Sequence, residues 1–260
     1  MRLALDLTKS IDENAAAYFE RAKKIKRKIG GAEEALGQSL KKLHELEQKK
    51  EKLILEKSSA AKLRERNKEW YEKFRWFTSS EGFLVIGGRD ATSNEVVIKK
   101  HAEANDIVFH TDMAGSPFFV VKSENRKIGE KTMEEAADAT VTFSRAWKLG
   151  LQTTSVFYAN PEQVSKKTKA GEYMGKGAFM IYGSTNYIDN EVNLAVGMTK
   201  NNQVMAGPVD AVKKNCKEFV VLIQGSEKPS DAAKYIQRKI GGLIDDIVRA
   251  LPSGSFKVKK

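Results

Sequence analysis

Cysteine is almost missing from this chain: Cys216 stands alone in 260 residues. That excludes a disulfide framework and a thiolate-based zinc site, and it suits a reducing compartment. Histidine is nearly as scarce, with His44, His101 and His110 only. No Gly-x-Ser-x-Gly elbow occurs, and Cys216 sits in a basic stretch without a nearby histidine. A nucleophilic triad is therefore not expected. Neither a Gly-x-Gly-x-x-Gly fingerprint nor a P-loop is present, which removes the common nucleotide-binding signatures. No apolar run approaches the ~20 residues of a membrane span. The first residues carry an early acid, Asp6, and no apolar core, unlike a signal peptide. The expected location is cytoplasmic, with no membrane partner.

What is abundant is positive charge. Lys and Arg number 45 against 34 Asp and Glu, a net charge of +11. The surplus is polarised: residues 1–68 hold 18 basic against 11 acidic residues, and 197–260 hold 12 against 6. The middle, 69–196, holds 15 against 17. Two basic ends around a near-neutral centre suit a polyanionic partner, RNA in particular. A solvated, lysine-rich coiled coil is the plainer alternative.

The chain opens helically. Ser10 and Glu13 form a capping-box signal. Ile11, Ala15, Tyr18, Ala22, Ile25 and Ile29 then recur at helical spacing, opposite a block containing Lys23, Lys24, Lys26, Arg27 and Lys28. A second helical stretch follows to about Phe74, with Leu43, Leu46, Leu53 and Ala60 near heptad positions. Lys50, Lys57 and Arg64 spoil that seam for a long dimer zipper. A hairpin bent at Gly30-Gly31 fits, and so does a helix continuous through the glycines that turns near Ser58-Ser59.

Trp70-Tyr71-Glu72-Lys73-Phe74-Arg75-Trp76-Phe77 marks the join to a compact domain, where aromatics bury an edge and the charges between them project. From Phe83 the period changes. Phe83–Ile86, Glu95–Lys99, Ile107–His110 and Phe118–Val121 read as short strands. Thr132 with Glu135 opens a helix to about Leu149, stopped by Gly150. Thr153–Tyr158, Phe179–Tyr182, Val192–Val196 and Phe219–Ile223 read as further strands. A last helix runs from Pro229 to about Leu251, ahead of a loose lysine tail. Trp147 belongs to the core with Ala136, Ala139 and Phe143. The expected fold is α+β: a helical, coiled-coil-like arm at 1–69, then a mixed, largely antiparallel sheet domain with packed helices at 70–260.

Two constellations carry chemistry. Gly87-Gly88-Arg89, a diglycine turn with an arginine, joins Arg75, Lys99 and Lys100 as an RNA-backbone contact. The basic, glycine-punctuated loop from Ser165 to Gly177, with Lys166, Tyr173 and Lys176, suits backbone contacts plus a stacking ring. Asp90, Glu95, His110 and Asp112 raise a second possibility, a metal-dependent nuclease or hydrolase acting on RNA. The plainer reading has Asp90 and Asp112 accepting hydrogen bonds in turns while His110 caps a strand. A protein–protein adaptor acting through the arm is the third.

The string Trp70 to Phe77 is followed by Ser79-Ser80, Ile86-Gly87-Gly88-Arg89-Asp90-Ala91 and Asn94-Glu95. Asp106 to Asp112, Val121-Lys122, Phe143-Ser144-Arg145-Ala146-Trp147, Gln163 to Lys166, Gly171-Glu172-Tyr173, Lys176-Gly177 and Phe179-Met180-Ile181 continue it. In that order they closely resemble the NFACT-R domain of the NEMF/RqcH (fibronectin-binding-A-like) proteins. Asp6 to Ser10, Glu13 to Ala16 and the basic block resemble the family's coiled-coil segment just upstream. The resemblance implies a ribosome quality control factor that recognises large subunits still holding peptidyl-tRNA. The family's N-terminal tRNA-binding domain and helix-hairpin-helix region have no counterpart here, so C-terminal tailing is not expected of these residues.

The expected role is thus a non-enzymatic RNA- and ribosome-binding module, with no cofactor and no metal. Its partners are the large ribosomal subunit, rRNA or tRNA, and other quality-control factors. Arg75, Arg89, Lys99, Lys100, Lys122, Arg145, Lys166 and Lys176 are assigned to phosphates, and His110 and Tyr173 to base or sugar. Asp90 and Asp112 orient the basic groups, and Lys23, Lys24, Lys26, Arg27 and Lys28 dock the arm.

Overall fold

The computed structural model describes residues 4–64, 67–166 and 174–259, without the side chains of Lys49 and of 51–64. The chain divides into two units, residues 1–62 and 63–260. The first is dominated by α1 (Ile11–Arg64), a single helix of 54 residues, about 80 Å long at 1.5 Å per residue. Its start is built as the sequence implies. The Ser10 N–H donates to Glu13 Oε2 at 2.8 Å, and the Glu13 N–H returns to Ser10 Oγ at 3.2 Å. The preceding residues hook back onto the first turns. Buried Asn14 exchanges bonds with the Asp6 backbone at 2.9 and 3.0 Å, and the Tyr18 hydroxyl donates to the Ala4 carbonyl at 2.6 Å.

The helix runs unbroken through Gly30-Gly31 and Ser58-Ser59, so neither the hairpin nor the turn at the serines forms. A glycine in a helix costs only ~0.5–1 kcal/mol against alanine. Strong helix formers flank the pair, and a Cβ at Gly30 or Gly31 would meet nothing within 4 Å. Leu36, Leu40, Leu43 and Leu46 stay exposed along the arm.

In the second unit a 3-10 turn, Trp70–Lys73, leads into β1 (Arg75–Thr78) and β2 (Leu84–Gly87). α2 (Ala91–Val96) passes directly into a π-helical turn, Val97–His101. There follow β3 (Ile107–Thr111), β4 (Phe119–Val121), α3 (Glu130–Thr142), α4 (Arg145–Leu149) and β5 (Val156–Ala159). β6 (Val164–Ser165), β7 (Met180–Ile181) and β8 (Asn186–Ile188) are short. The chain ends with β9 (Leu194–Thr199), β10 (Val204–Gly207), α5 (Val209–Asn215), β11 (Cys216–Glu227), α6 (Pro229–Ile240), α7 (Ile244–Ala250) and β12 (Phe256–Val258).

A six-stranded sheet, β1-β2-β4-β3-β5-β8, lies beside a four-stranded sheet, β10-β9-β11-β12, and β6 pairs with β7. Every pairing among the described strands is antiparallel. The architecture is α+β. β4 is buried at all three positions, with Phe119 pressed against Gly87, where a Cβ would lie 2.5 Å from the ring. Trp147 is core, 1% exposed, and its Nε1–H donates to the Ser255 carbonyl at 3.0 Å.

Several boundaries moved. Glu95–Lys99 is helical rather than a strand, because Asp90 caps a helix through Ser93. The helix expected through Leu149 breaks at Phe143-Ser144, where Ser144 caps α4. Thr132 lies inside α3, and its N–H is held by Glu81 Oε2 at 2.8 Å, while Glu135 receives the Ser80 N–H at 2.9 Å. The last helix is split by Gly241-Gly242, both at positive φ. Lys257 lies in β12, which pairs with β11, and the Lys259 N–H donates to the Val221 carbonyl at 3.0 Å, so the segment is not loose up to there.

Candidate nucleic-acid interface

The diglycine turn is where the site begins. A Cβ at Gly88 would fall 1.8 Å from Asn94 Oδ1, so only glycine lets α2 pack so close. Asn94 is buried and clips this helix to the next loop: Phe118 N–H donates to its Oδ1 at 3.2 Å. Gly177, at φ +79°, packs on the start of α2, where a side chain would strike the Ala91 backbone. These close approaches bring three separate chain segments around one cleft.

The cleft holds about 420 Å³. Its described lining includes five cations: Arg75, Arg89, Arg145, Lys148 and Lys176. Asp90 is the one acid among the described lining residues. Arg145, Lys148 and Lys176 are exposed. The two inner arginines are half-buried. Arg75 Nη1 donates to the Leu251 carbonyl at 3.0 Å with its guanidinium 4.6 Å over the Phe143 ring. Arg89 Nη2 donates to the Phe74 carbonyl at 3.0 Å. Burial, then repulsion from Arg89, brings Arg75 down to about 9. Burial, then Arg249, brings Arg89 down to about 10. Both stay charged at neutral pH, side by side, and a bound anion relieves that repulsion.

The apolar part is aromatic. His110 stacks on Phe118, with centroids 4.0 Å apart, and Phe179 meets Phe118 edge-on at 5.4 Å. His110 Nε2 lies 3.2 Å from the Ser116 carbonyl, which only accepts, so this nitrogen carries the proton. Burial holds the ring below the usual histidine range.

The cleft thus gathers Arg75, Arg89, His110, Arg145, Lys176 and Asp90 from the residues named on sequence, and adds Lys148, one helical turn beyond Arg145. Their i, i+3 spacing was the available signal. Other residues lie elsewhere. Lys122 is buried in an ion pair with Asp106 and donates to the His101 carbonyl at 2.7 Å, so it is withdrawn from any phosphate. Lys166 is tied to Glu95 at 2.7 Å, and Lys99 reaches the same carboxylate at 3.4 Å. Lys100 is exposed outside the cleft, on the π-helical turn beside His101, which stacks on Trp70 at 4.5 Å. Tyr173 lies outside the described residues.

Asp90 lies close enough to Lys176 and Arg89, and Asp112 to His110, to act on them electrostatically, while their hydrogen bonds go to other partners. Asp90 Oδ1 accepts from Ser93 N and Oγ at 2.8 and 2.9 Å, and Asp112 accepts from the Tyr187 hydroxyl at 3.1 Å. Glu95 is neutralised by lysines, and no three His, Cys, Asp or Glu converge among the described residues. No described helix is long and apolar enough to cross a membrane. On the arm, Lys23, Lys24, Lys26, Arg27 and Lys28 are all exposed.

The family described as "NFACT protein RNA binding domain" matches residues 73–183. The archaeal Rqc2 homolog aRqcH of Methanocaldococcus jannaschii is 39% identical over 202 residues, 75% of this chain and 30% of that protein. The ribosome quality control complex subunit NEMF homolog of Drosophila melanogaster is 32% identical over 75% of this chain and 19% of its own length. Human ribosome quality control complex subunit NEMF is 33% identical over 67% of this chain and 16% of that protein. The chain belongs to the NEMF/RqcH family and spans less than a third of these relatives. The solved C-terminal part of the Streptococcus suis fibronectin/fibrinogen-binding protein is 16% identical over 49% of each chain, with a TM-score of 0.38, a likeness too loose to define a fold.

Proposed function

We propose that this chain is an RNA- and ribosome-docking module of a ribosome quality control factor, acting by binding rather than by catalysing a reaction. Its target is the large subunit obstructed by peptidyl-tRNA, reached through rRNA or tRNA phosphates. The supporting observation is the convergence of five cations on one cleft against a single described acid. Unpaired arginine and lysine at a groove are the footprint of phosphate recognition. Relatives named as ribosome quality control complex subunits support this reading. The exposed face of α1 carrying Lys23, Lys24, Arg27 and Lys28 supplies a second electrostatic contact.

The test is co-sedimentation with purified large subunits across a salt series. Steep loss of binding with salt supports the reading. A flat response, or binding that survives RNase treatment of the subunits, contradicts it and favours a protein–protein adaptor.

A further inference from the structure

The cleft is small. At about 420 Å³ it falls in the ~300–1,000 Å³ range of small-ligand sites, whereas an RNA duplex presents a surface and cannot enter. Its composition is divided as well. His110, Phe118 and Phe179 line one part with rings, while Arg145, Lys148 and Lys176 are exposed and Arg75 and Arg89 lie further in. The Arg89 Nε is buried without a protein acceptor, a donor left for a ligand oxygen. Rings beside a cationic rim are what a lone base between two phosphates requires.

We infer that the cleft takes one unpaired nucleotide of single-stranded RNA, the base against the His110–Phe118 stack and its flanking phosphates on the arginines and lysines. This rests on the RNA-docking reading and sharpens it. Duplex RNA has the higher charge density and is favoured by charge alone. A preference for single strands therefore reports the cleft and not the surplus of lysine.

The experiment uses the full chain and fluorescence anisotropy with a labelled 12-nucleotide single strand and the blunt duplex of the same sequence, at equal salt. Ala178 is exposed and lines the cleft, so Ala178→Trp fills it without touching the core. The expected result is at least tenfold tighter binding of the single strand, a preference abolished by Ala178→Trp. A second filling variant, Ala114→Trp at another exposed lining position, gives the same loss. Equal affinity for the two RNAs, or undiminished single-strand binding in both variants, overturns the nucleotide assignment and leaves RNA docking standing. No binding of either RNA at low salt overturns the docking reading itself.

Discussion

The guanidinium of Arg89 donates to the carbonyl of Phe74 at 3.0 Å, and this bond ties the diglycine turn to the aromatic segment fifteen residues earlier. It fixes Arg89 beside Arg75 with no carboxylate bonded to either. Backbone carbonyls thereby orient both guanidiniums without a bonded ion pair. An acid in either position would neutralise the site.

Arg145 lies exposed at the rim of the cleft. Arg145→Ala is expected to weaken RNA binding about five- to tenfold at low salt and to leave the melting temperature unchanged. Anisotropy alongside thermal unfolding checks it, and an equal loss of stability would reassign Arg145 to structure.

Lys122 behaves in the opposite way. Lys122→Met leaves Asp106, 1% exposed, without its cation. Breaking one partner of a buried pair costs about 3–5 kcal/mol, read as a lower urea midpoint. RNA affinity of the folded fraction is unaffected.

Glu95 neutralises two lysines that otherwise face solvent near the cleft loop. Glu95→Gln removes the carboxylate from Lys99 and from Lys166, which keeps its bond to the Gly175 carbonyl at 3.1 Å. RNA affinity is expected to rise about threefold, the scale of a surface ion pair released. A fall in affinity would mean that the Glu95–Lys166 pair positions the loop.

Asp138 supplies a pH signature. Burial raises its carboxyl to about 6, despite bonds from Glu191 N–H and Asn193 Nδ2. A raised folded value means the native state binds the proton more tightly than the unfolded chain. This contribution to stability is full below about 4 and is lost as pH rises toward 6. Asp138→Asn should flatten that slope relative to the parent protein in urea melts at pH 4, 5, 6 and 7. Parallel curves would show that Asp138 titrates normally.

Much of the architecture was legible from residues alone. The Ser10–Glu13 cap, Gly150 at positive φ and the apolar runs of β2, β3 and β4 were visible because each depends on local chemistry. The lysines were not. Glu95–Lys99 reads as a strand because Val96, Val97 and Ile98 are β-branched. The capping bond from Asp90 to Ser93 made the segment helical, and Glu95 then met Lys99 one turn on. Lys122 follows a buried strand, and only the tertiary position of Asp106, sixteen residues away, decides that it turns inward. Arg145 was named on sequence, yet its place beside Arg75 and Lys176 comes from Gly88 and Gly177 drawing three segments together.

The salt dependence of single-stranded RNA binding by the full chain, measured before and after Arg145→Ala/Lys148→Ala/Lys176→Ala, tests the cleft most directly. Each phosphate contact on a single strand contributes ~0.7 to the slope of log K against log salt. Loss of the three rim cations is expected to reduce the slope by about 2. An unchanged slope, with folding intact, would place the RNA elsewhere on the molecule and contradict the cleft as its seat.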